Sequence, residues 1–346
     1  MSTAFPLLSP FSFRCHCRDE DIPAILAVHE ACRERDATDP DSVCYSVPNL
    51  TPTGYARLLQ DTPPEGILIA EEAGKVVAHA WMEVWGVEER MYLWQVWVVP
   101  RWRGHGLGTA MNRWGETKAR EMYGDDARVG LHLANATDGE RDAVTLLLSE
   151  GHHLSFVSPE LAFDAFESLA TVPTVRGIAL RALKSSEHRA VARALSEANL
   201  NPPDHEDRWI GAALESRIDT EEAEWLGRIQ SADPELSPVA WEGGEIAGAY
   251  LCRRSGRVGE IAQVAVRAPW RGRGVARALA MQSLHGLRAA GCVSARLFTS
   301  IGPEEEEPVR GPYVMYRKFG FSPIARHLRY RKAMRLEPPV GKVSVT

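Results

Sequence analysis

The chain has no long apolar run. No stretch of its 346 residues approaches the continuous hydrophobic segment that a membrane-spanning helix requires. The opening residues, MSTAFPLLSPFSFRCHCRDED, have no basic n-region, and prolines break their short apolar part, which argues against a signal peptide. Cysteine is sparse: Cys15, Cys17, Cys32, Cys44, Cys252 and Cys292 form no CxxC pair. That argues against a disulfide framework or a zinc site, and makes a reducing cytoplasm the expected compartment with no metal expected. Cys15 and Cys17 share one face of an expected strand, where a packed pair is the ordinary reading. Lysine is confined to Lys75, Lys118, Lys184, Lys318, Lys332 and Lys342, so arginine carries most of the positive charge, a bias that reads as codon composition. Nor is there a basic excess: 40 Lys and Arg against 46 Asp and Glu leave a net charge of -6, which opposes nonspecific nucleic-acid binding.

What is present is globular. A hydrophobic fraction of 45% with 25% charged residues is far from the signature of disorder, and the length suits two domains of ordinary size. Laying the chain against itself shows why. Residues 96–108 read VWVVPRWRGHGLG and residues 264–276 read VAVRAPWRGRGVA, an offset of 168 that places Trp102 on Trp270 and Arg103 on Arg271.

The neighbourhoods repeat too. In the first half, strands are expected at 13–18, 66–72, 75–85, 91–99 and 129–136, with helices at 22–35, from about 106 to 122, and ending near Gly151 before two closing strands. The second half offers strands at 177–183, 237–243, 245–254, 260–266 and 294–300 and helices at 187–198 and about 274–290. VMYRKFG (314–320) and two closing strands, FSPIAR and LRYRKAM, complete it. The expected fold class is α/β in layers: two tandem domains, 1–168 and 174–346, joined near Pro173 and Gly177, each with helices flanking a mixed sheet.

RGRGVA (271–276) follows an apolar strand ending at Val266 and opens an amphipathic helix on which Val275, Leu279 and Leu287 share a face with Ala276, Ala280, Ser283 and Ala290. A helix start has unpaired N–H groups and partial positive charge, and glycines let the backbone wrap an anion such as a diphosphate. Alone, this pattern is equally a chain-reversing turn; two copies in the same strand-before, helix-after context favour the anion cradle. There is no GxxxxGK[ST], HRD or DFG motif to support another nucleotide site.

VAVRAPWRGRGVA resembles motif A of the GNAT superfamily of N-acetyltransferases, and MYRKFGF (315–321) resembles its motif B. The tandem layout is similar to double-GNAT acetyltransferases of the mycothiol synthase type. The resemblance implies sheets that are mostly antiparallel and an acyl donor, acetyl-CoA or another acyl-CoA. Its diphosphate would lie on Arg271, Gly272, Arg273, Gly274, Val275 and Ala276, and its pantetheine would run beside Val264, Ala265 and Val266. The matching set in the first copy is Val96, Trp97, Val98, Arg103, Gly104, His105, Gly106, Leu107 and Gly108.

An amine attacks only when neutral, and a lysine-like amine at pH 7 is free base in only about one molecule in 2,500, so a base is useful; the departing thiolate gains from a proton donor. Glu260 matches the family's general base, and on a regular strand it shares a face with Ala262, Val264 and Val266; otherwise it is a solvated strand-end acid. Tyr316 matches the tyrosine that protonates the thiolate, or it fills the core. The first copy departs at both places: the offset puts Tyr92 on Glu260, and TLLLSEGHH (145–153) puts Leu147 on Tyr316 and His152 on the phenylalanine of motif B. Its turn is intact, so it is expected to hold CoA idly or serve the architecture. His105, His132, His152 and His153 are alternative bases, although isolated histidines are usually structural.

Two further features of the sequence remain open. The family's frequent asparagine before motif B falls on Val309, and Glu304–Glu307 form either an acidic rim for a cationic acceptor or a solvated loop. The tryptophans at 81, 85, 94, 97, 102 and 114 line a pocket or pack a core. The expected partner is a small-molecule primary amine, with no nucleic acid or membrane. The alternatives are an acyl-CoA-binding module without turnover and a protein or peptide N-acetyltransferase.

Overall fold

The computed structural model describes residues 4–15, 19–39, 42, 62–85, 91–123, 131–200, 222, 225–302 and 311–333. Cys17, Cys44, Glu304–Glu307 and Val309 lie outside the described residues. Two compact units emerge, and their boundaries do not follow the 1–168 and 174–346 division: the first holds 1–159, 300–308 and 325–346, the second 160–299 and 309–324.

In the first unit the strands are β1 (Phe11–Cys15), β2 (Ile67–Glu72), β3 (Lys75–Trp85), β4 (Met91–Val98) and β5 (Leu131–Thr137), followed in the sheet by the last described strand, β12 (Ser322–Ala333). β1 to β4 form an antiparallel meander, β4 runs parallel to β5, and β12 pairs antiparallel with β5 from His327↔Thr137 to Ala333↔Leu131. On one face α1 (Ile22–Asp36) packs Ile25 against Ile67, Ile69 and Trp81. On the other, α2 (Leu107–Tyr123) sets Leu107, Met111 and Trp114 against Tyr92, Trp94 and Val98, the alternation a two-sided strand demands. A third helix, α3 (Arg141–Ser149), seats Leu147 with Ala134, Ala136 and Tyr330.

The second unit repeats this plan with β7 (Ala179–Ala182), β8 (Pro238–Glu242), β9 (Glu245–Ser255), β10 (Val258–Val266) and β11 (Ser294–Phe298). Its next strand comes from the first half of the chain: Glu160–Phe163, the end of β6 (His153–Phe163), pairs with β11. α4 (His188–Leu200) covers one face through Val191, Ala192 and Leu195, and α5 (Val275–Ala289) the other through Val275, Leu279, Leu284 and Leu287. A short α6 (Pro312–Lys318) adds Tyr316 to the α5 side.

Each half thus contributes a strand to the other's unit. Each pair of expected closing strands is one long strand: residues 153–163 form β6 and residues 322–333 form β12. Pro159, which has no N–H for a ladder, ends the first unit's share of β6. No described helix is long and apolar enough to cross a membrane.

Candidate functional site

Both glycine turns adopt the same backbone. Arg103 and Arg271 share φ -66° and ψ 152°, and the glycines that follow take φ of +77° and +83° (Gly104, Gly106) or +73° and +87° (Gly272, Gly274). Those positive values are why glycine recurs there. The first backbone N–H groups to find helical partners are those of Ala110, on Gly106 O, and Ala278, on Gly274 O, so the N–H groups between turn and helix point outward from the helix starts.

The strand before each turn parts from its parallel neighbour. β4 pairs with β5 only over Met91–Leu93, and β10 with β11 only over Val258–Glu260. Beyond those points the facing edge of each strand is an open row of backbone groups that an extended ligand arm can pair with. In the first unit the parting opens a cavity of about 630 Å³, walled by Val96, Trp97, Val98, the turn glycines, Cys32 and Leu146.

The two arginines at 103 and 271 act chiefly as braces. Arg103 donates to Val98 O at 3.2 Å and binds both oxygens of Asp36 at 2.7 Å, while Arg271 donates to Val266 O and Ala198 O at 2.9 Å. Arg273, between the two turn glycines, is paired with Glu242 at 2.6 Å, whose carboxyl is held down to about 2 by Arg273 and by the Trp270 indole. His105 is exposed, with Nδ1 2.9 Å from the Arg103 carbonyl oxygen.

Glu260 does not share a face with Val264 and Val266. A bulge between Ile261 and Gln263 adds one residue to β10, so Ile261, Val264 and Val266 face α5, while Glu260, Gln263 and Ala265 face α4. Both Glu260 oxygens are held by Arg253, its cross-strand partner, at 2.5 and 2.6 Å. The β3–β4 pair has no such shift along its length, so the position matching Glu260 is Leu93, buried and apolar, rather than Tyr92. A one-residue bulge leaves no mark in composition, which is why a constant offset missed it.

Tyr316 is buried in the α5-side core, edge-on to Phe321 with ring centroids 5.4 Å apart. Burial holds its phenol protonated by pushing the pKa well up, with Tyr250 exerting a smaller opposite pull. Tyr250 is the cross-strand partner of Val264, and its buried hydroxyl lies against that of Tyr316. Tyr316 therefore lies against the strand pair at which β10 has left β11. In the first unit Leu147 occupies the same station: His152 N bonds Leu147 O as Phe321 N bonds Tyr316 O. His152 is buried and His153 accepts from Arg331, while the His132 side chain lies outside what is described.

Among the tryptophans, 81, 94 and 114 are core, Trp102 packs edge-on against Phe11, and Trp97 stacks on Trp81 at 4.3 Å while walling the cavity; the side chain of Trp85 is not described. Two buried histidines went unnoticed in the sequence because nothing in their spacing marks them. His29 lies against Trp97 (4.4 Å) and His79 (5.8 Å). Burial lowers His29 to about 3 and His79 well below its usual 6.5, with His29 adding repulsion to the latter. Unfolded histidines therefore bind protons that the folded pair refuses, so stability falls as pH drops below about 6.5, by about 1.4 kcal/mol per pH unit per histidine. Thermal unfolding between pH 6.5 and 4.5 should show this slope, shallower in His79→Leu. An equal slope in the variant removes the histidines as the cause.

No group of metal-ligating residues occurs among the described residues. The model of the Acetyltransferase (GNAT) family matches the chain twice, over residues 30–142 and 199–321. The chain belongs to that family, as a tandem GNAT protein, and is an N-acetyltransferase. A GCN5-related N-acetyltransferase from Sphaerobacter thermophilus is 25% identical, with 96% of this chain and 98% of that one covered at a TM-score of 0.75. A tandem GNAT protein from the clavulanic acid biosynthesis pathway is 16% identical, with 95% and 100% covered and a TM-score of 0.67. The same fold occurs in a GCN5-related glucosamine N-acetyltransferase region of a fungal multi-domain GH3 β-N-acetylglucosaminidase, 14% identical, over 94% of this chain and 38% of that one, at a TM-score of 0.66. No curated protein matches the chain.

Proposed function

We propose that the C-terminal copy carries out the chemistry, moving an acetyl group to a primary amine of a small molecule, with Tyr316 as acid and Glu260 as base. The family's donor, acetyl-CoA, supplies the activated thioester. The open backbone of Val264, Ala265 and Val266 would align the donor's arm, and the N–H groups from Gly272 to Ala276 would hold its diphosphate. Tyr316 would give its proton to the departing sulfur as the C–N bond forms and the C–S bond breaks. Glu260 would take the proton that the amine sheds, directly or through water, once the Arg253 guanidinium releases one of its oxygens.

The observation that carries this reading is the asymmetry between two otherwise matching units. One places a protonated phenol beside its parted strand and a carboxylate on the same strand; the other has leucine at both stations. Thiol release with a panel of small amines tests it. Gly274→Val, which puts a β-branched side chain at φ +87°, should abolish turnover, whereas Gly106→Val should leave it near wild type. The opposite result would move the chemistry to the first copy. Silence against small amines with activity on peptide N-termini would change the acceptor class.

A further inference from the structure

Building on the acetyl-CoA reading of the C-terminal turn, we infer that the chain takes one acetyl-CoA, and that the cavity beside the N-terminal turn is closed to the diphosphate by its own carboxylates. The backbone there has the right shape. Its glycine dihedrals match those of the second turn, its strand is parted, and its cavity is roomy. Charge sets the two turns apart.

Among the described residues the N-terminal cavity is lined by Asp36, Glu140 and Asp142, with Arg103 as the one cation of that lining. That cation is already committed. Its two terminal nitrogens lie 2.7 Å from the oxygens of Asp36, and Asp142 stands 3.4 Å from one of them. Glu140 is fixed in place by the Thr137 N–H at 2.6 Å, and burial, with a smaller push from Asp36, raises its pKa. With Arg103 matched by Asp36 and approached by Asp142, this lining is a poor host for a diphosphate, both of whose phosphates are charged at neutral pH. Shelter inside the cavity weakens screening by salt.

The second turn is built with the opposite sign. Arg273 stands where the first turn has His105, and Arg277 where it has Thr109. Around that turn the described residues include Arg271, which braces Val266 O and Ala198 O, Arg273, which Glu242 binds, Arg277 over the Phe319 ring, and Glu197, which Arg267 binds, so cations outnumber carboxylates. Backbone geometry and side-chain charge thus agree in the second copy and conflict in the first. The N-terminal turn keeps the shape of an anion cradle in a lining that repels anions.

Calorimetric titration of the full chain with acetyl-CoA tests this. One equivalent is expected, lost in Gly274→Val and retained in Gly106→Val, with any uptake at the first turn weaker by about a hundredfold or more. Two equivalents in the wild-type chain would overturn the inference while sparing the catalytic reading. No uptake at all would overturn both, and loss of the single site in Gly106→Val would reverse its placement. Should Gly274→Val fail to fold, the Gly106→Val result still decides. The double variant Asp36→Asn with Asp142→Asn frees Arg103 and removes two negative charges, so it should gain a second equivalent. If it folds and still takes one, charge is not what closes the cavity.

Discussion

Tyr316→Phe is expected to lower turnover about a hundredfold at neutral pH, the range in which loss of a positioned proton donor falls, while leaving acetyl-CoA affinity nearly unchanged. The variant isolates the proton because it removes little else. Tyr316 is held by Phe319 and Phe321 through its ring, and besides the proton the substitution removes the contact of its hydroxyl with that of Tyr250. A phenylalanine keeps the ring contacts and should keep the thermal midpoint within a few degrees. The deficit should appear in kcat and shrink as the pH rises past about 8.5, where a thiolate leaves without help. Full activity with a lowered midpoint would make Tyr316 a packing residue and return the search for an acid to the α5-side core.

Ending the chain at Phe321 should have a larger effect on a different property. The truncation removes β12, and with it seven paired positions against β5 and the Lys332 Nζ contacts to both Glu116 oxygens at 2.8 and 3.0 Å. It also removes Tyr330, which closes the cluster formed by Ala134, Ala136 and Leu147. Burial of a large aromatic contributes about 3–5 kcal/mol, and the ladder hydrogen bonds about 0.5–1.5 kcal/mol each. The sum rivals the whole stability of a domain, about 5–15 kcal/mol. The first unit, although almost all its sequence is retained, should therefore lose cooperative unfolding by circular dichroism and amide protection in β5. A peptide spanning 322–346 added in trans should restore part of both. A truncated chain, or an isolated 1–168 fragment, that melts cooperatively near the wild-type temperature would show that β12 is dispensable.

The sequence alone determined the family, the doubling and the two turns, because these are written locally. Val264–Val266, the glycines at 272 and 274 and the helix behind them are neighbours in the chain, and an exact offset of 168 displays them twice. Tyr316 was legible for the same reason, sitting five residues before Phe321 in a compact motif. Tertiary structure alone decided three matters. The bulge after Ile261 turns Glu260 to the α4 face and into the grip of Arg253, an outcome of strand register that alternation by itself cannot anticipate. The carboxylates of the first cavity come from the end of α1 and the start of α3, more than a hundred residues apart, and only packing brings Asp36 and Asp142 to one arginine. The exchange of β6 and β12 between units is likewise invisible in either strand's residues. A strand's pattern records which faces are buried, whereas the identity of its partner depends on which open sheet edge the folded chain presents to it.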